Sequence, residues 1–231
     1  MKLVVRDLNK SYDENPVLKD LTFTFEEGKI YGLLGRNGSG KTTFFSCLDD
    51  LIPYDSGTIY LEHDDGSQEA LSDLNVGLVL TEPKLPEFLT GYEFIKSFME
   101  ICQIEETGNI DDYFKQIALE ESDQHKLIKD YSMGMKNKIQ MLMYLILKPK
   151  VLLLDEPLTS FDVIVASEIK EILKSLKHDH ILLFSTHILE LATNLCDEIV
   201  ILNQGNLELV DSDMIHTADF EERIVEILKN E

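Results

Sequence analysis

A glycine-rich segment at residues 35–42 constrains the fold of this chain more than any other feature. Its sequence, Gly-Arg-Asn-Gly-Ser-Gly-Lys-Thr, fits the pattern G-x-x-x-x-G-K-[S/T]. An apolar run typical of a buried strand, Ile30–Leu34, precedes it, and residues 42–51 follow with a pattern that predicts a helix ending near Pro53. A strand, a glycine-rich turn and a helix in this order predict a phosphate-binding loop in an α/β domain.

The residue types in this loop suit a triphosphate. Glycines allow successive backbone N–H groups to face an anion, and the helix N-terminus adds the positive end of its dipole. Lys41 is expected to reach the β- and γ-phosphates, and the Thr42 hydroxyl is a candidate Mg²⁺ ligand. The predicted nucleotide contacts in this segment are Gly35, Arg36, Asn37, Gly38, Ser39, Gly40, Lys41, Thr42 and Thr43.

Two carboxylates follow a second apolar run. Residues 151–154 are all aliphatic, and Asp155 and Glu156 come directly after them. A carboxylate at the end of a buried strand can hold a metal ion, and its neighbour can orient an attacking water. His187 follows a similar run at residues 181–184 and is a candidate contact for the γ-phosphate. Each feature alone also fits a structural role, but together with the phosphate loop they predict nucleotide hydrolysis.

The remaining pattern predicts alternating strands and helices. Apolar runs at residues 3–5 and 21–25 predict strands near the N-terminus, and residues 58–61 and 76–80 predict a hairpin around a turn at 63–67. Helical spacing begins at Pro83 and continues to about residue 132. Further helices are expected at residues 139–148, 163–176 and 188–195. The expected architecture is a layered α/β core with an N-terminal β-rich part and a helical subdomain.

Composition excludes several classes of protein. The chain has 231 residues, of which 44% are hydrophobic, with 12 glycines and 6 prolines, so it is neither disordered nor fibrous. A formal net charge of −22 disfavours binding to nucleic acid or to anionic lipid. The three cysteines show no C-x-x-C spacing, which favours a reducing, cytoplasmic location. No apolar run approaches the length that spans a bilayer, so a role at a membrane requires a partner.

In their order along the chain, these motifs resemble the ATP-binding subunit of an ATP-binding-cassette (ABC) transporter, over about residues 2–210. The resemblance implies a P-loop NTPase core with an N-terminal antiparallel β subdomain and an inserted helical subdomain, and it implies ATP and Mg²⁺ as cofactors. It assigns Tyr12 to adenine stacking and residues 157–162 to contact with a second ATP-binding subunit. It also assigns His187 as a switch histidine, with Lys41 and Glu156 catalytic and Asp155 on the metal.

The same resemblance divides the chain into parts. A single domain is expected over residues 1–231. Within it, residues 1–82 and 149–210 form the nucleotide-binding core with the β subdomain, residues 83–148 the helical subdomain, and residues 211–231 a tail helix.

Two motifs depart from the family pattern. The signature run Leu-Ser-Gly-Gly-Gln falls on residues 131–135, where Ser132 and Gly134 agree and Met133 replaces a glycine. The metal-contacting glutamine falls on Thr81, a candidate ligand with a shorter side chain, and Glu82 is the alternative candidate. The intact phosphate loop and altered signature leave two options open, a heterodimer with a different cassette or a homodimer with slow turnover.

The resemblance also implies separate transmembrane permease subunits and a peripheral position on the inner face of the cell membrane. The candidates for a permease-docking groove are Phe88, Leu89, Tyr92 and Phe94, which equally fit the core of the helical subdomain. The run at residues 30–35 favours the exporter-type branch. The alternatives are a non-transport ABC ATPase that acts as a conformational machine, and a regulatory cassette with weak hydrolysis.

Overall fold

The computed structural model of the chain describes residues 1–104, 110–157, 163–211 and 220–229. Its strands form two sheets, and helices pack against them. Residues 158–162, which include most of the expected contact loop with a second subunit, lie outside the described residues.

The first sheet is antiparallel and lies in the N-terminal part of the chain. It has four strands in the order β2-β1-β4-β5. Along β1 and β2, apolar side chains that face the core, such as Leu3, Val5 and Phe25, are fully or almost fully buried. The strands are β1 (Lys2–Tyr12), β2 (Asn15–Glu26), β4 (Ser56–Glu62) and β5 (Gln68–Glu69).

The second sheet has six strands in the order β10-β9-β3-β8-β7-β6. The strands β9, β3, β8, β7 and β6 pair in parallel, and β10 is antiparallel to β9. Because β8 lies between β3 and β7, the carboxyl ends of these three strands meet at one edge, where ligands bind in open α/β sheets. The strands are β3 (Ile30–Leu34), β6 (Val76–Val79), β7 (Val151–Asp155), β8 (Ile181–Thr186), β9 (Glu198–Asn203) and β10 (Asn206–Leu209).

Helices cover both faces of this sheet, which explains why its central strands are apolar throughout. On one face, Leu153 and Leu183 pack in the same cluster as Phe44 and Phe45 of helix α1 (Lys41–Leu48) and the apolar side of the first sheet. The opposite face packs against helices α5 (Met133–Leu147), α6 (Val163–Leu176) and α7 (Leu189–Leu195). Helix α8 (Phe220–Lys229) adds Phe220 and Ile224 beside β9.

Helices between β6 and β7 form a separate apolar core. It is shared by α2 (Gly91–Ile101), α3 (Ile110–Gln116) and α5, and the short helix α4 (Glu121–Gln124) lies between α3 and α5 along the chain. Thr90 begins α2 with a capping box to Glu93, which satisfies the first backbone N–H groups. Tyr92 and Phe94 pack against this core, whereas Phe88 is 79% exposed. The buried side chains of this core include Ile95, Met99, Phe114, Ile128, Ile139 and Leu142.

The predicted hairpin of residues 58–61 and 76–80 is wrong. Strand β4 turns instead into the two-residue strand β5, and β6 joins the other sheet in parallel with β7. The physical reason is that all residues of β6 are buried, which requires cover on both faces rather than one. None of the helices in the described ranges is long and apolar enough to cross a bilayer.

Asp49, at the end of α1, is expected to destabilise the fold at neutral pH. Burial, together with the nearby carboxylates of Asp73 and Asp50, raises its pKa from 3.8 to about 6. Folding therefore favours the protonated form, and this contribution to stability is lost as pH rises from about 4 through about 6. After allowance for solvent screening, we expect Asp49→Asn to raise the free energy of unfolding at pH 8 by about 1 kcal/mol.

Urea denaturation at pH 4 and pH 8 measures this difference. Asp49→Asn should have little effect at pH 4, and Asp179→Asn, which also removes one negative charge but from an exposed position, should have little effect at either pH. A gain that is equal at both pH values would contradict the assignment to the Asp49 carboxyl.

Candidate active site

The phosphate loop lies between β3 and α1, as the sequence predicts. Gly40 caps α1 with a φ of 103°, a left-handed conformation that favours glycine. A Cβ atom on Gly35 would lie 2.4 Å from the Ser39 Oγ and 2.9 Å from the Leu202 carbonyl oxygen. Ser39 and Leu202 thus pack closely against Gly35, and the shape of the loop depends on glycine at positions 35 and 40.

Lys41 is the buried cation of the site. Only 6% of the residue is exposed, and its Nζ donates hydrogen bonds to the carbonyl oxygens of Gly35, at 2.8 Å, and Arg36, at 3.1 Å. Desolvation lowers the pKa of Lys41, and the carboxylates of Glu156 and Asp155 oppose that shift. A buried ammonium that is only partly compensated favours the arrival of an anion such as a triphosphate.

Asp155, at the end of β7, accepts hydrogen bonds from three hydroxyl groups. The Thr42 Oγ1 donates to its Oδ2 at 2.8 Å, and the Ser185 Oγ donates to its Oδ1 at 2.6 Å. The Thr81 Oγ1 donates to its backbone carbonyl oxygen at 2.7 Å. These contacts join the phosphate-loop helix to the ends of β6, β7 and β8.

The Glu156 carboxylate lies close to both His187 and Lys41. The Nδ1 of His187 lies 3.1 Å from the Glu156 Oε1, and the same carboxylate oxygen lies 4.0 Å from the Lys41 Nζ. The backbone N–H of Glu156 donates to the Ser185 Oγ at 2.9 Å. The structure thus brings Lys41, Asp155, Glu156 and His187 to one edge of the sheet.

A cavity of about 250 Å³ lies above the phosphate loop. The residues that line it are Val17, Asn37, Gly38, Gly40, Lys41, Thr42, Thr43 and Glu156. An adjoining cavity of about 370 Å³ shares Val17 and Gly38 with the first and extends to Lys19 and Gln204. Predicted phosphate contacts and the predicted catalytic carboxylate therefore face the same space.

Tyr12 is not among the residues that line either cavity. It lies at the end of β1, is 47% exposed, and has the Lys10 Nζ 5.0 Å from its ring centroid. A cation at this distance restrains the ring through a cation–π contact. Its role in base stacking stays a prediction.

The signature residues lie at the start of α5. The Ser132 Oγ caps this helix by accepting a hydrogen bond from the backbone N–H of Met135 at 3.2 Å. Neither Ser132 nor Gly134 lines the cavity above the phosphate loop, and Met133 is 43% exposed. Within one chain, therefore, the signature and the phosphate loop do not meet.

Oxygen donors suited to a hard cation are present at the site. Among the described residues there is no cluster of three or more His, Cys, Asp or Glu side chains that could hold a metal. The Thr42 hydroxyl and the Asp155 carboxylate, 2.8 Å apart, fit an ion such as Mg²⁺, which usually takes one or two protein ligands and completes its shell with phosphate and water.

Two residues of the site were not found from the sequence. Ser185 hydrogen-bonds to both Asp155 and Glu156. It lies near the end of β8, two residues before His187, and this position would have identified it if β8 had been known to pair with β7. Val17, on β2, lines both cavities, and nothing in the local sequence distinguishes it from other strand residues.

Comparison with known proteins agrees with this geometry. The sequence pattern of the ABC transporter family matches residues 18–159, more than half of the chain. The chain is 31% identical over 208 residues to the lantibiotic transport ATP-binding protein SrtF of Streptococcus pyogenes, with 90% of this chain and 89% of that protein covered. It is 31% identical over 205 residues to the bacitracin transport ATP-binding protein BcrA of Enterococcus faecalis, covering 87% of this chain and 66% of that protein.

A solved structure gives the same result. The structure of an ATP-binding subunit of an ABC transporter aligns with a TM-score of 0.81 and 26% identity, covering 98% of this chain and 99% of that one. The chain therefore belongs to the ABC transporter family, as an ATP-binding and ATP-hydrolysing subunit that powers transport across a membrane.

Proposed function

We propose that the edge formed by β3, β7 and β8 is where this chain hydrolyses ATP, with Lys41, Glu156 and His187 as the catalytic residues. The observation that carries the proposal is the convergence of the Lys41 ammonium and the Glu156 carboxylate, 4.0 Å apart, on the cavity above the phosphate loop. Residues 35–43 supply the backbone N–H groups and hydroxyls that surround the β- and γ-phosphates.

Magnesium fits the donor set at Thr42 and Asp155. When bound, it neutralises charge that develops on the phosphates. The Thr81 hydroxyl donates its hydrogen bond to the Asp155 backbone carbonyl oxygen. Thr81 would therefore bind a metal only through the lone pairs of its hydroxyl oxygen.

In the reaction, the oxygen of a water molecule bonds to the γ-phosphorus while the bond from that phosphorus to the bridging oxygen breaks. Glu156 orients this water and takes its proton, and ADP leaves with the electron pair of the broken bond. The Lys41 ammonium stabilises the negative charge on the transferred group. The Nδ1 of His187 lies 3.1 Å from the Glu156 Oε1, which supports a role for this side chain as a hydrogen-bond donor toward the γ-phosphate.

Adenine is proposed to lie against Tyr12 and Val17. Val17 lines the cavity next to the phosphate loop, and Tyr12 has an exposed ring on the neighbouring strand. Stacking on an aromatic ring and contact with an aliphatic side chain suit the apolar faces of a base.

A second ATP-binding subunit completes each site. Ser132 and Gly134 stand at the start of α5, away from the cavity of their own chain, which suits contact with a nucleotide held by another cassette. The partner is a second copy of this chain or a different cassette whose own signature faces this site.

Permease subunits in the membrane are the other proposed partners. Phe88 is 79% exposed, and its neighbour Glu87 pairs with Lys136 of α5 at 2.9 Å, so a contact made here lies next to the signature helix. Through the permease, the chain is placed on the cytoplasmic face of the membrane. The sequence run at residues 30–35 favours the exporter-type branch, and two relatives are named as lantibiotic and bacitracin transport proteins.

This assignment divides the chain by task. Residues 1–82 and 149–210 bind and hydrolyse the nucleotide, and residues 83–148 carry the signature and permease contacts. Of the expected tail at residues 211–231, residue 211 and helix α8 are described, and the rest lies outside the described residues.

Replacement of Lys41 tests nucleotide binding. We expect Lys41→Ala to lower the affinity for ATP with magnesium by at least about 100-fold, because it removes the buried charge that faces the phosphates. Isothermal titration calorimetry measures the affinity, and Lys174→Ala on the exposed side of α6 is the control. Unchanged ATP affinity in Lys41→Ala would refute the site.

Replacement of Glu156 tests hydrolysis. We expect Glu156→Gln to bind ATP normally. It should release phosphate at least about 100-fold more slowly than the wild type, because the amide is a poor proton acceptor. Phosphate release under saturating ATP measures the rate. A variant with full turnover would remove Glu156 from the reaction.

The same variant reports the partner. If two copies of the chain form the site, Glu156→Gln should dimerise when ATP is added. Mass photometry should then show particles of twice the 26.4 kDa of one chain. A variant that binds ATP and keeps the mass of one chain would indicate a different cassette as partner.

Replacement of Phe88 tests the permease contact. We expect Phe88→Asp to reduce recovery of the tagged chain with detergent-solubilised membranes severalfold, because it puts a charge in an apolar contact, while ATP affinity stays unchanged. Leu209→Asp, at another exposed apolar residue, is the matched control. Equal recovery of both variants would place the permease contact elsewhere.

A further inference from the structure

The peptide bond between Asp155 and Glu156 is held from both sides by hydroxyl groups. On one side, the Thr81 Oγ1 donates to the Asp155 carbonyl oxygen at 2.7 Å. On the other, the Ser185 Oγ accepts from the Glu156 N–H at 2.9 Å. The donor and the acceptor of this peptide therefore each have a dedicated side-chain partner, from β8 on one side and from just beyond β6 on the other.

Ser185 makes a second contact that links the two carboxylate residues. Its hydroxyl proton is donated to the Asp155 Oδ1 at 2.6 Å while its oxygen accepts from Glu156. The side chain is fully buried, so water does not compete for either bond. Movement of the Glu156 backbone would thus disturb the Asp155 carboxylate as well.

Glu156 requires such support because of its backbone. Its φ is 48°, in the left-handed region that residues other than glycine rarely adopt. A strained conformation of this kind persists only where surrounding contacts determine it. The same conformation directs the carboxylate to within 3.1 Å of the His187 Nδ1 and 4.0 Å of the Lys41 Nζ.

We infer that Thr81 and Ser185 are positioning residues that hold the Asp155–Glu156 peptide, and through it the Glu156 carboxylate, in the geometry needed for hydrolysis. The inference rests on the proposed catalytic role of Glu156. It assigns Thr81 a function that needs only its hydroxyl proton: the hydrogen bond ties the segment after β6 to the catalytic carboxylate on β7.

Two substitutions at Thr81 separate the hydroxyl from the shape of the side chain. Thr81→Val keeps the volume and removes the hydrogen bond, and Thr81→Ser keeps the bond. We expect Thr81→Val to lower kcat for ATP hydrolysis by the full chain about 10- to 100-fold with KM for ATP within about threefold, because misplacement of a catalytic group acts on the rate of the bound complex. Thr81→Ser should recover most of the rate.

Thr58→Val on strand β4 makes the same chemical change in the other sheet and should leave kcat unchanged. The inference is overturned if Thr81→Val keeps the wild-type kcat, or if Thr81→Ser loses as much rate as Thr81→Val.

A double variant tests whether Thr81 acts through Glu156. In a Glu156→Gln background, Thr81→Val should slow the residual hydrolysis by less than about twofold, because the group that it positions is already gone. A full additional loss in the double variant would show that Thr81 acts by another route. If Glu156→Gln alone hydrolyses ATP at the wild-type rate, the proposed role of Glu156 is refuted. This result is distinct from the results above, which refute the inference about Thr81 alone.

Hydrogen exchange gives a readout that needs no turnover. The Glu156 N–H should exchange at least about 10-fold faster in Thr81→Val than in the wild type or Thr81→Ser, because its peptide loses the hydrogen bond that Thr81 donates. Thr58→Val should leave this exchange unchanged. Equal protection of the Glu156 N–H in Thr81→Val and wild type would overturn the inference even if the rates differ.

Discussion

The Asp155 side chain, with the backbone that follows it, is the point on which the geometry of this site depends. The Asp155 carboxylate accepts hydrogen bonds from the hydroxyls of Thr42 and Ser185, and its backbone carbonyl oxygen accepts one from the Thr81 hydroxyl. A carboxylate that is only 7% exposed has to be hydrogen-bonded, and these contacts meet that requirement while fixing four segments relative to one another. The phosphate loop therefore has a defined position relative to Glu156 before any nucleotide binds.

The local charge of the site differs in sign from the overall charge of the chain. The chain has a net charge of −22, yet the cavity above the phosphate loop holds a buried ammonium from Lys41 and the N-terminus of α1. In the described structure, two backbone carbonyl oxygens share the Lys41 ammonium, and these are weaker partners than a triphosphate. Binding of ATP to an acidic protein is thus explained by local charge, and the overall charge serves to exclude unrelated polyanions.

The phosphate loop and the signature residues lie on different elements of the chain, which supports the proposal that two cassettes form each site. The phosphate loop and the carboxylates lie at one edge of the six-stranded sheet, while Ser132 begins α5, which packs with α2 and α3 in a separate core. Under that proposal, nucleotide binding and subunit contact are coupled through one set of atoms. The departures at Met133 and Thr81 leave the phosphate-binding half of the site unaltered.

The phosphate loop, the strands that end at Asp155 and just before His187, and the family are all predictable from the amino-acid order, because each is encoded in a short segment. Continuous apolar runs identify strands buried on both faces, and a glycine-lysine pattern identifies an anion site. The structure confirms the α/β class and places the predicted residues Lys41, Asp155, Glu156 and His187 at one edge.

The neighbours of each strand, and the hydroxyls that contact the carboxylates, depend on the folded chain and are not encoded in any single segment. The hairpin predicted for residues 76–80 failed because local pattern does not distinguish a partner next in sequence from β7, which follows much later in the chain. The same limit concealed Ser185 and the contact of Thr81 with Asp155, since each depends on strand order. Local sequence fixes what a segment can bury, whereas the pairing of distant segments fixes what it can touch.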